Sequence, residues 1–247
     1  MMTKESNILK RIALLVVVTA LLSLTAAGAA AQGEVDHQVY LPVITNVQAN
    51  PVHTGVATYY YATGGGSCMF DPSPADLMVA AMNAVEYDNA AACGSYIFVQ
   101  GPRGSVTVRI VDLCPGCKTG HLDLSQEAFE KIANLPQGRV PVTWQVISPD
   151  LPGPIAYHFK DGSNQWWTAV QVRNHRNPVA SLEFRSGGQW VAVPRMQYNY
   201  FVRSEGMGVG PYAFRVTDIY GNVLVDTDIP HVEGGTVDGN AQFPPGP

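Results

Sequence analysis

Short segments rich in valine, tyrosine, threonine and phenylalanine, divided by glycine and proline, recur along most of this chain. The 247 residues include 24 Gly and 18 Pro, which fall at irregular positions between these segments. Because glycine and proline mark turns, while β-branched and aromatic residues favour extended backbone, the pattern predicts many short strands. The irregular spacing excludes a collagen-like or repeat array, and a hydrophobic content of 46% can supply a packed core. The sequence therefore predicts an all-β protein.

The first 31 residues have the layout of an export signal. Three cations precede an apolar run over residues 12–24, and small residues follow over 25–31. A membrane anchor is the alternative, but the apolar run is shorter than the ~20 residues that a spanning helix needs. We therefore expect residues 1–31 to be a signal peptide and the mature protein to be secreted and extracellular, with no membrane association after cleavage.

The charge balance is acidic. The full sequence has a net charge of −5, and cleavage after residue 31 leaves 12 Lys and Arg against 19 Asp and Glu. Such a chain repels polyanions, so nucleic acid is not expected as a partner.

Composition also divides the rest of the chain. Residues 32–50 carry no recognisable chemistry and are predicted to be a linker or N-terminal arm. Three prolines within residues 148–154 resist both helix and sheet, so residues 149–154 are predicted to link a first domain, 51–148, to a second, 155–247. In the first domain we predict strands at 56–61, 96–100, 105–111 and 142–147, with one helix near 125–133. In the second we predict six strands, at 156–160, 168–174, 180–185, 189–193, 212–218 and 223–226, with a hairpin turn at Gly187-Gly188. These patterns favour a β-barrel followed by a small sandwich.

Four cysteines, Cys68, Cys93, Cys114 and Cys117, all lie in the first predicted domain. In an exported chain they are expected to be bridged, and four cysteines allow three pairings. A zinc site is the alternative, but the sequence lacks the second Cys-x-x-Cys pair that such sites usually show, so no metal is expected. A thioredoxin-like role for the Cys-Pro-Gly-Cys segment is also disfavoured, because no helix N-terminus follows it to lower a thiol pKa.

Candidate chemistry concentrates between residues 111 and 125. The sequence has no phosphate-binding glycine loop, no His-Glu-x-x-His and no Gly-x-Ser-x-Gly, so no cofactor is expected. Asp112 ends an apolar strand and Asp123 precedes a helix, so a barrel could bring both carboxylates to one groove. Each also has a purely structural interpretation. Asp123 or Ser125 can cap the helix, and Asp112 can accept hydrogen bonds in the turn that closes the cysteine loop.

Several segments resemble the bacterial expansin-like proteins, whose first domain is similar to the barrel of family-45 glycoside hydrolases. The matching segments of the first domain are Gly55-Val-Ala-Thr58-Tyr, Ala92-Cys-Gly-Ser-Tyr96, Val111-Asp112-Leu and Leu122-Asp123-Leu-Ser125. Those of the second resemble the family-63 carbohydrate-binding module and are Lys160-x-Gly-Ser-x-x-Trp166-Trp167-x-Ala-Val-Gln-Val-Arg-Asn-His175 and Met196-x-Tyr198-Asn199. The likeness covers residues 55–243, with both domains in the expected order.

This resemblance implies a six-stranded double-psi β-barrel followed by an Ig-like β-sandwich. It implies that Asp123 is the indispensable groove carboxylate, with Asp112 and Thr58 as its neighbours, and that wall polymers are loosened without hydrolysis. One departure is Cys114, which stands where bacterial relatives often have an aromatic residue, two positions after the first aspartate. The cysteines look more like those of fungal and plant relatives, which implies the disulfides Cys68–Cys93 and Cys114–Cys117.

The distribution of acids supports the same interpretation. A glycosidase needs two carboxyl groups flanking the scissile bond. In family-45 hydrolases the second carboxylate lies shortly after the Thr-x-Tyr strand, whereas here Thr58-Tyr-Tyr-Tyr61 leads into a glycine-rich loop and the next acid is Asp71. Asp112, which lies on the same side of the groove as Asp123 in relatives, is better placed to tune the pKa of Asp123 than to activate a water. Hydrolysis is therefore disfavoured.

In the second domain, Trp166, Trp167 and Tyr198 are predicted to stack on glucose rings, and Lys160 to donate to sugar hydroxyls. Adjacent residues on a regular strand face opposite ways, so both tryptophans are exposed only at a bulge or a strand end. The alternative is that one tryptophan belongs to the core and Tyr198 covers a sheet edge.

The prediction from the sequence is thus a secreted monomer that binds cellulose or cell-wall glucan and loosens it without hydrolysis, with peptidoglycan as a further polysaccharide partner. The alternatives are an endoglucanase or peptidoglycan lytic enzyme on the same barrel, and a pure carbohydrate-binding adhesin. Trp144 and Trp190 are predicted to pack, and no chemistry is assigned to the six histidines.

Overall fold

A computed structural model describes residues 50–247, so the predicted signal peptide and residues 32–49 of the arm lie outside the described residues. The first part of the described chain forms a closed six-stranded barrel, as expected, with strand order β1-β5-β2-β4-β3-β6. Strands β1 and β5, and β2 and β4, are parallel, and the other barrel pairs are antiparallel. The barrel strands are β1 (His53–Tyr60), β2 (Val79–Asn83), β3 (Tyr96–Gln100), β4 (Ser105–Cys114), β5 (Leu122–Ser125) and β6 (Val140–Ile147).

Two short α-helices and a 3-10 turn accompany the barrel. They are α1 (Ala84–Tyr87), α2 (Gln126–Ile132) and the 3-10 turn Leu135–Gln137. The Ser125 hydroxyl accepts the backbone N–H of Ala128 at 3.1 Å and so caps α2, whose buried face includes Phe129 and Ile132. The capping interpretation of Asp123 is therefore wrong, because this residue lies within β5.

The closure of the barrel depends on a close approach between Gly55 of β1 and Gly120, just before β5. A Cβ atom on Gly55 would lie 2.0 Å from the Gly120 carbonyl oxygen, so only glycine fits there. The same oxygen accepts the indole N–H of Trp144 at 3.1 Å. Trp144 is buried in the barrel core, which confirms its predicted packing role.

Residues 148–155 have no helix or strand and lead into a sandwich of two four-stranded sheets, ordered β10-β9-β12-β13 and β11-β8-β7-β14. Side chains along β12 alternate strictly between buried and half-buried, as expected for a strand with one face on a core. The glycines at 187 and 188, both with positive φ, join β9 to β10 as predicted. The sandwich strands are β7 (Ala156–Phe159), β8 (Thr168–Arg173), β9 (Val179–Ser186), β10 (Gln189–Val193), β11 (Phe201–Arg203), β12 (Tyr212–Asp218), β13 (Val223–Ile229) and β14 (Thr236–Asp238).

Polar contacts join the barrel to the sandwich. The Cys68 carbonyl accepts the side-chain amides of Gln171 at 2.8 Å and Asn199 at 3.4 Å. The Tyr87 hydroxyl donates to the Gln197 carbonyl at 2.9 Å. Because two sandwich side chains donate to one backbone oxygen beside a disulfide, the barrel and the sandwich are held in one arrangement.

The strands that the sequence did not predict are β2, β5, β11 and β14. Strand β2 is buried along its whole length and so shows no alternation, and the other three have only three or four residues. No helix within residues 50–247 is long and apolar enough to cross a membrane.

Candidate functional site

The candidate groove follows one row of residues across four neighbouring strands. Thr58 of β1 is paired with Asp123 of β5, Asp123 with Ala81 of β2, and Ala81 with Asp112 of β4. Paired residues on adjacent strands project to the same face of a sheet. With strands 4.7–4.9 Å apart, the two aspartates are separated by two strand spacings, roughly 10 Å between backbones. The predicted trio of Thr58, Asp112 and Asp123 is therefore brought together on one wall.

Asp123 sits at the end of a short hydrogen-bonded chain. The Thr58 hydroxyl donates to its carboxylate, and the same hydroxyl oxygen lies 3.0 Å from Nε2 of His121. Since Thr58 uses its only O–H to donate a hydrogen bond to Asp123, its oxygen accepts a hydrogen bond from the N–H of the histidine ring. Burial, followed by the charge of Arg139, lowers the pKa of His121, while Asp123 opposes that shift. His121 is thus held neutral, with Nε2 protonated, and it orients Thr58 toward Asp123.

Tyr60 is a second residue of the groove wall that the sequence analysis missed. It lies two positions after Thr58 on β1 and so points to the same face. Its buried hydroxyl has no hydrogen-bond partner among residues 50–247. Burial raises the pKa of Tyr60 well above its ordinary value, and the charges of Asp112 and Asp123 raise it further. The phenol of Tyr60 therefore stays un-ionised beside the two carboxylates.

Asp112 is fixed by backbone donors. Its Oδ1 accepts the N–H groups of Ser67 at 2.7 Å and Leu113 at 2.8 Å. A Cβ atom on Gly66 would lie 2.4 Å from the Asp112 carboxyl carbon, so the glycine-rich loop lies directly against this side chain. Asp112 therefore fastens that loop to β4, and neither of these two donors belongs to the cysteine turn in which Asp112 was predicted to act.

The two predicted disulfides are both confirmed, and no free cysteine occurs in residues 50–247. Cys114–Cys117 lies at the end of β4 beside the groove, and both of its residues are partly exposed. Cys68–Cys93 is buried at the boundary between barrel and sandwich. The described residues contain no group of three His, Cys, Asp or Glu side chains that could hold a metal ion.

Asp71, the acid that follows the glycine-rich loop, is already paired. Its Oδ2 lies 2.7 Å from a guanidinium nitrogen of Arg173 in β8, and this hydrogen bond lowers the pKa of Asp71. A carboxyl group committed in this way, and ionised through the ordinary pH range, is poorly suited to act as a general acid.

Of the aromatic residues predicted to bind sugar, Trp167 and Tyr198 lie together on the sandwich. Both are half-buried and pack against Ala169, Tyr200 and Val202. The rings of Tyr198 and Tyr200 are tilted relative to each other, with their centroids 6.0 Å apart. Lys160 lies beside them, with Nζ 6.0 Å from the centroid of the Tyr200 ring. Trp167 and Tyr198 thus pack around Tyr200 beside β8 and β11, and we call Trp167, Tyr198 and Lys160 the aromatic surface.

Trp166 occupies a different position, at the tip of a tight turn. The turn is closed by a β-bridge between Asn164 and Trp167, and the Asn164 side chain accepts the backbone N–H of Trp166 at 2.9 Å and of Trp167 at 3.2 Å. Trp166 is 73% exposed and lines a shallow depression with Val209 and His231. Neither tryptophan lies within a regular strand, so Trp166 and Trp167 are not required to face opposite sides of a sheet.

Trp190 lies on the other sheet, where it is half-buried. The guanidinium carbon of Arg215 is 5.0 Å from the centroid of its ring and that of Arg185 is 5.8 Å away. This cation–π arrangement is consistent with the predicted packing role.

Comparison with known proteins identifies the group to which this arrangement belongs. Expansin-YoaJ of Bacillus subtilis is 41% identical over 206 residues, covering 78% of this chain and 87% of that protein. The chain belongs to the expansin family. Expansin-B3 of Arabidopsis thaliana is 27% identical and covers 88% of this chain and 89% of its own length.

The structural relatives agree with this expansin assignment. The crystal structure of the Clavibacter michiganensis expansin aligns with a TM-score of 0.74 and 34% identity over 78% of this chain and 99% of that one. A mutant of the same bacterial expansin has been solved in complex with cellohexaose. A double-psi β-barrel family model, described as lytic transglycolase, matches residues 53–144. The barrel and sandwich are therefore those of a bacterial expansin-like protein.

Proposed function

We propose that this expansin is exported by its first 31 residues, binds cellulose through the sandwich, and loosens glucan contacts in the barrel groove without hydrolysis. In this proposal residues 51–148 act as the loosening domain and residues 155–247 as the binding domain, joined by residues 149–154. The cellohexaose complex of the Clavibacter expansin supports a glucan as the polysaccharide.

The observation that carries the non-hydrolytic part is the placement of the carboxylates. Hydrolysis requires one carboxyl group on each side of the scissile bond. Asp112 and Asp123 lie in one row on the same wall, separated by Ala81, and Asp112 is held by two backbone donors. Asp71 is paired with Arg173. Neither Asp112 nor Asp71 is therefore placed to act as the partner acid of Asp123 across the groove.

The aromatic surface supports the binding role. Flat rings stack on the apolar faces of glucose units, and Trp167 and Tyr198 present such rings side by side, with Lys160 as a neighbouring donor. Trp166 extends from the turn and is the most exposed of the three aromatic residues. Together they offer contacts to more than one glucose unit of a chain.

The test is Asp123→Asn, which keeps the acceptor for Thr58 but removes the charge and the titratable proton. We expect this variant to lose creep of a clamped wall strip while retaining cellulose binding, with no soluble reducing sugar released by either form. The matched control is Asp150→Asn, which neutralises an almost fully exposed carboxylate and should creep like wild type. Equal creep from wild type and Asp123→Asn would refute the role of Asp123.

A second candidate is lytic cleavage of peptidoglycan, which the description of the matching family model favours. Release of soluble muropeptides by wild type and not by Asp123→Asn would establish it. Cellulose binding with neither creep nor sugar release would instead identify an adhesin.

A further inference from the structure

A cavity of about 340 Å³ opens where the barrel meets the sandwich, separate from the groove row and from the aromatic surface. We call it the junction cavity. A volume of this size accommodates a small molecule or one unit of a polymer. The residues of its lining that carry chemistry are Phe70, Asp71, Tyr96, Arg109, Arg173 and His175.

The junction cavity has an excess positive charge within an acidic protein. Arg173 is balanced by Asp71, but Arg109 forms no ion pair with any residue in the range 50–247. The guanidinium carbon of Arg109 lies 5.0 Å from the centroid of the Phe70 ring, which holds it against the apolar wall. A guanidinium held in this way presents a planar set of donors that matches a carboxylate.

His175 supplies an acceptor in the lining of the cavity. It is 3% exposed, and burial lowers its pKa to about 4, so it is neutral at ordinary pH. Its Nδ1 lies 2.8 Å from the Asn177 carbonyl and must carry the proton, which leaves Nε2 as a bare acceptor. A Cβ atom on Gly94 would lie 2.5 Å from that Nε2, so the glycine keeps the space in front of it open. Nε2 therefore lies next to Gly94 in the cavity lining and has no hydrogen-bond partner among residues 50–247.

We propose that the junction cavity binds a single sugar carboxylate, with the carboxylate on Arg109, a sugar hydroxyl donating to Nε2 of His175, and the ring against Phe70 and Tyr96. An anion without a proton to donate, such as sulfate or chloride, would leave the His175 acceptor unused, and a neutral sugar would leave Arg109 without its counter-charge. The net charge of −5 opposes a dense polyanion, so the ligand is an isolated acidic sugar in an otherwise neutral polysaccharide.

The test uses small probes on the full chain, because they separate charge from sugar recognition. Binding is followed by NMR titration with methyl β-glucuronide, its neutral counterpart methyl β-glucoside, and acetate. N-acetylmuramic acid provides a second carboxylated sugar, and the tighter of the two acidic sugars identifies the source as a uronate or a peptidoglycan sugar. We expect saturable binding of at least one acidic sugar, with methyl β-glucoside and acetate each binding at least tenfold more weakly.

Arg109→Gln should weaken binding of the acidic sugar about tenfold, and Arg109→Lys should weaken it less. The control is Arg185→Gln, which removes one positive charge from an exposed site on the β10 sheet and should bind like wild type. Equal losses in Arg109→Gln and Arg185→Gln, equal binding of methyl β-glucuronide and methyl β-glucoside, or no saturable binding of either acidic sugar would each overturn the proposal.

Depletion of the protein from solution by cellulose is measured on the same Arg109→Gln preparation. It should remain at the wild-type level, because the aromatic surface is unchanged, and this result also shows that the variant is folded. Failure of wild type to bind cellulose would refute the proposed function, whereas the NMR titration with acidic sugars would still test the junction cavity.

Discussion

Removing the buried disulfide Cys68–Cys93 should destabilise barrel and sandwich together. In the chain-entropy treatment, a bridge with a sequence separation of 25 stabilises the folded protein by about 3.5 kcal/mol. For a chain of this size, each kcal/mol corresponds to about 2–4 °C in Tm. The double variant Cys68→Ala, Cys93→Ala should therefore unfold roughly 7–14 °C below wild type. Because the Cys68 carbonyl accepts hydrogen bonds from Gln171 and Asn199 of the sandwich, the loss should not be confined to the barrel.

Differential scanning calorimetry under non-reducing conditions provides the measurement. The matched control is Cys114→Ala, Cys117→Ala, which opens a bridge with a sequence separation of only 3 and should cost about 2 kcal/mol. We expect one cooperative transition in all three proteins. Two resolved transitions, of which only one moves in the Cys68 and Cys93 variant, would refute the argument that this disulfide braces the junction. A Tm equal to wild type would refute the stabilisation itself.

Three further outcomes are expected. Trp166→Ala should lower cellulose affinity about fivefold without changing Tm, because its ring is exposed, whereas Trp190→Ala on the other sheet should leave depletion from solution by cellulose unchanged. Glu86→Gln should reduce the free energy of unfolding by about 1–2 kcal/mol in urea titrations, since the carboxylate accepts from His53 and from the backbone N–H of Gly120; exposed Glu130→Gln should have no effect. Because the pKa of His175 is lower in the folded protein than in the unfolded chain, lowering the pH protonates His175 in the unfolded chain before it does so in the folded protein. The free energy of unfolding should therefore fall by up to roughly 3 kcal/mol from pH 6.5 to pH 4. A free energy of unfolding that does not change across this range would contradict the role of His175.

Local patterns placed Asp112 and Asp123 beside a strand and a helix, and the family resemblance supplied their predicted role in the groove. Asp112 lies near the end of the apolar strand β4, and Asp123 stands just before a helix whose cap is Ser125. Both disulfides also agreed with the family resemblance. What the sequence could not supply is strand register. The contact between Thr58 and His121 exists only because β1 and β5 are parallel and aligned with Thr58 opposite Asp123, and a pattern of alternation carries no information about which strands pair.

The same limitation explains the other residues that were missed. Tyr60 lies in a run of three tyrosines, and nothing local distinguishes the one whose pKa is raised by the charges of Asp112 and Asp123. Asp71 and Arg173 are about a hundred positions apart, and their ion pair depends on how the barrel meets the sandwich. In each case the chemistry arises from long-range packing, so the sequence showed the residue type but not its partner.

The proposed loosening of a glucan depends on hydrogen-bonding groups on one wall of the groove and breaks no covalent bond. Neutral hydrogen bonds between polysaccharide chains are each worth only about 1 kcal/mol net, and a hydrogen bond to an ionised carboxylate is roughly twice as strong. The carboxylate of Asp123, oriented by Thr58 and His121, is the acceptor that the proposed function assigns to this wall. In the proposed function, a glucan chain in the groove exchanges hydrogen bonds to neighbouring chains for hydrogen bonds to Asp123, a step that requires no water activated from the opposite side. Carboxylates on one wall are sufficient for this proposed exchange, whereas hydrolysis needs them on both sides of the scissile bond.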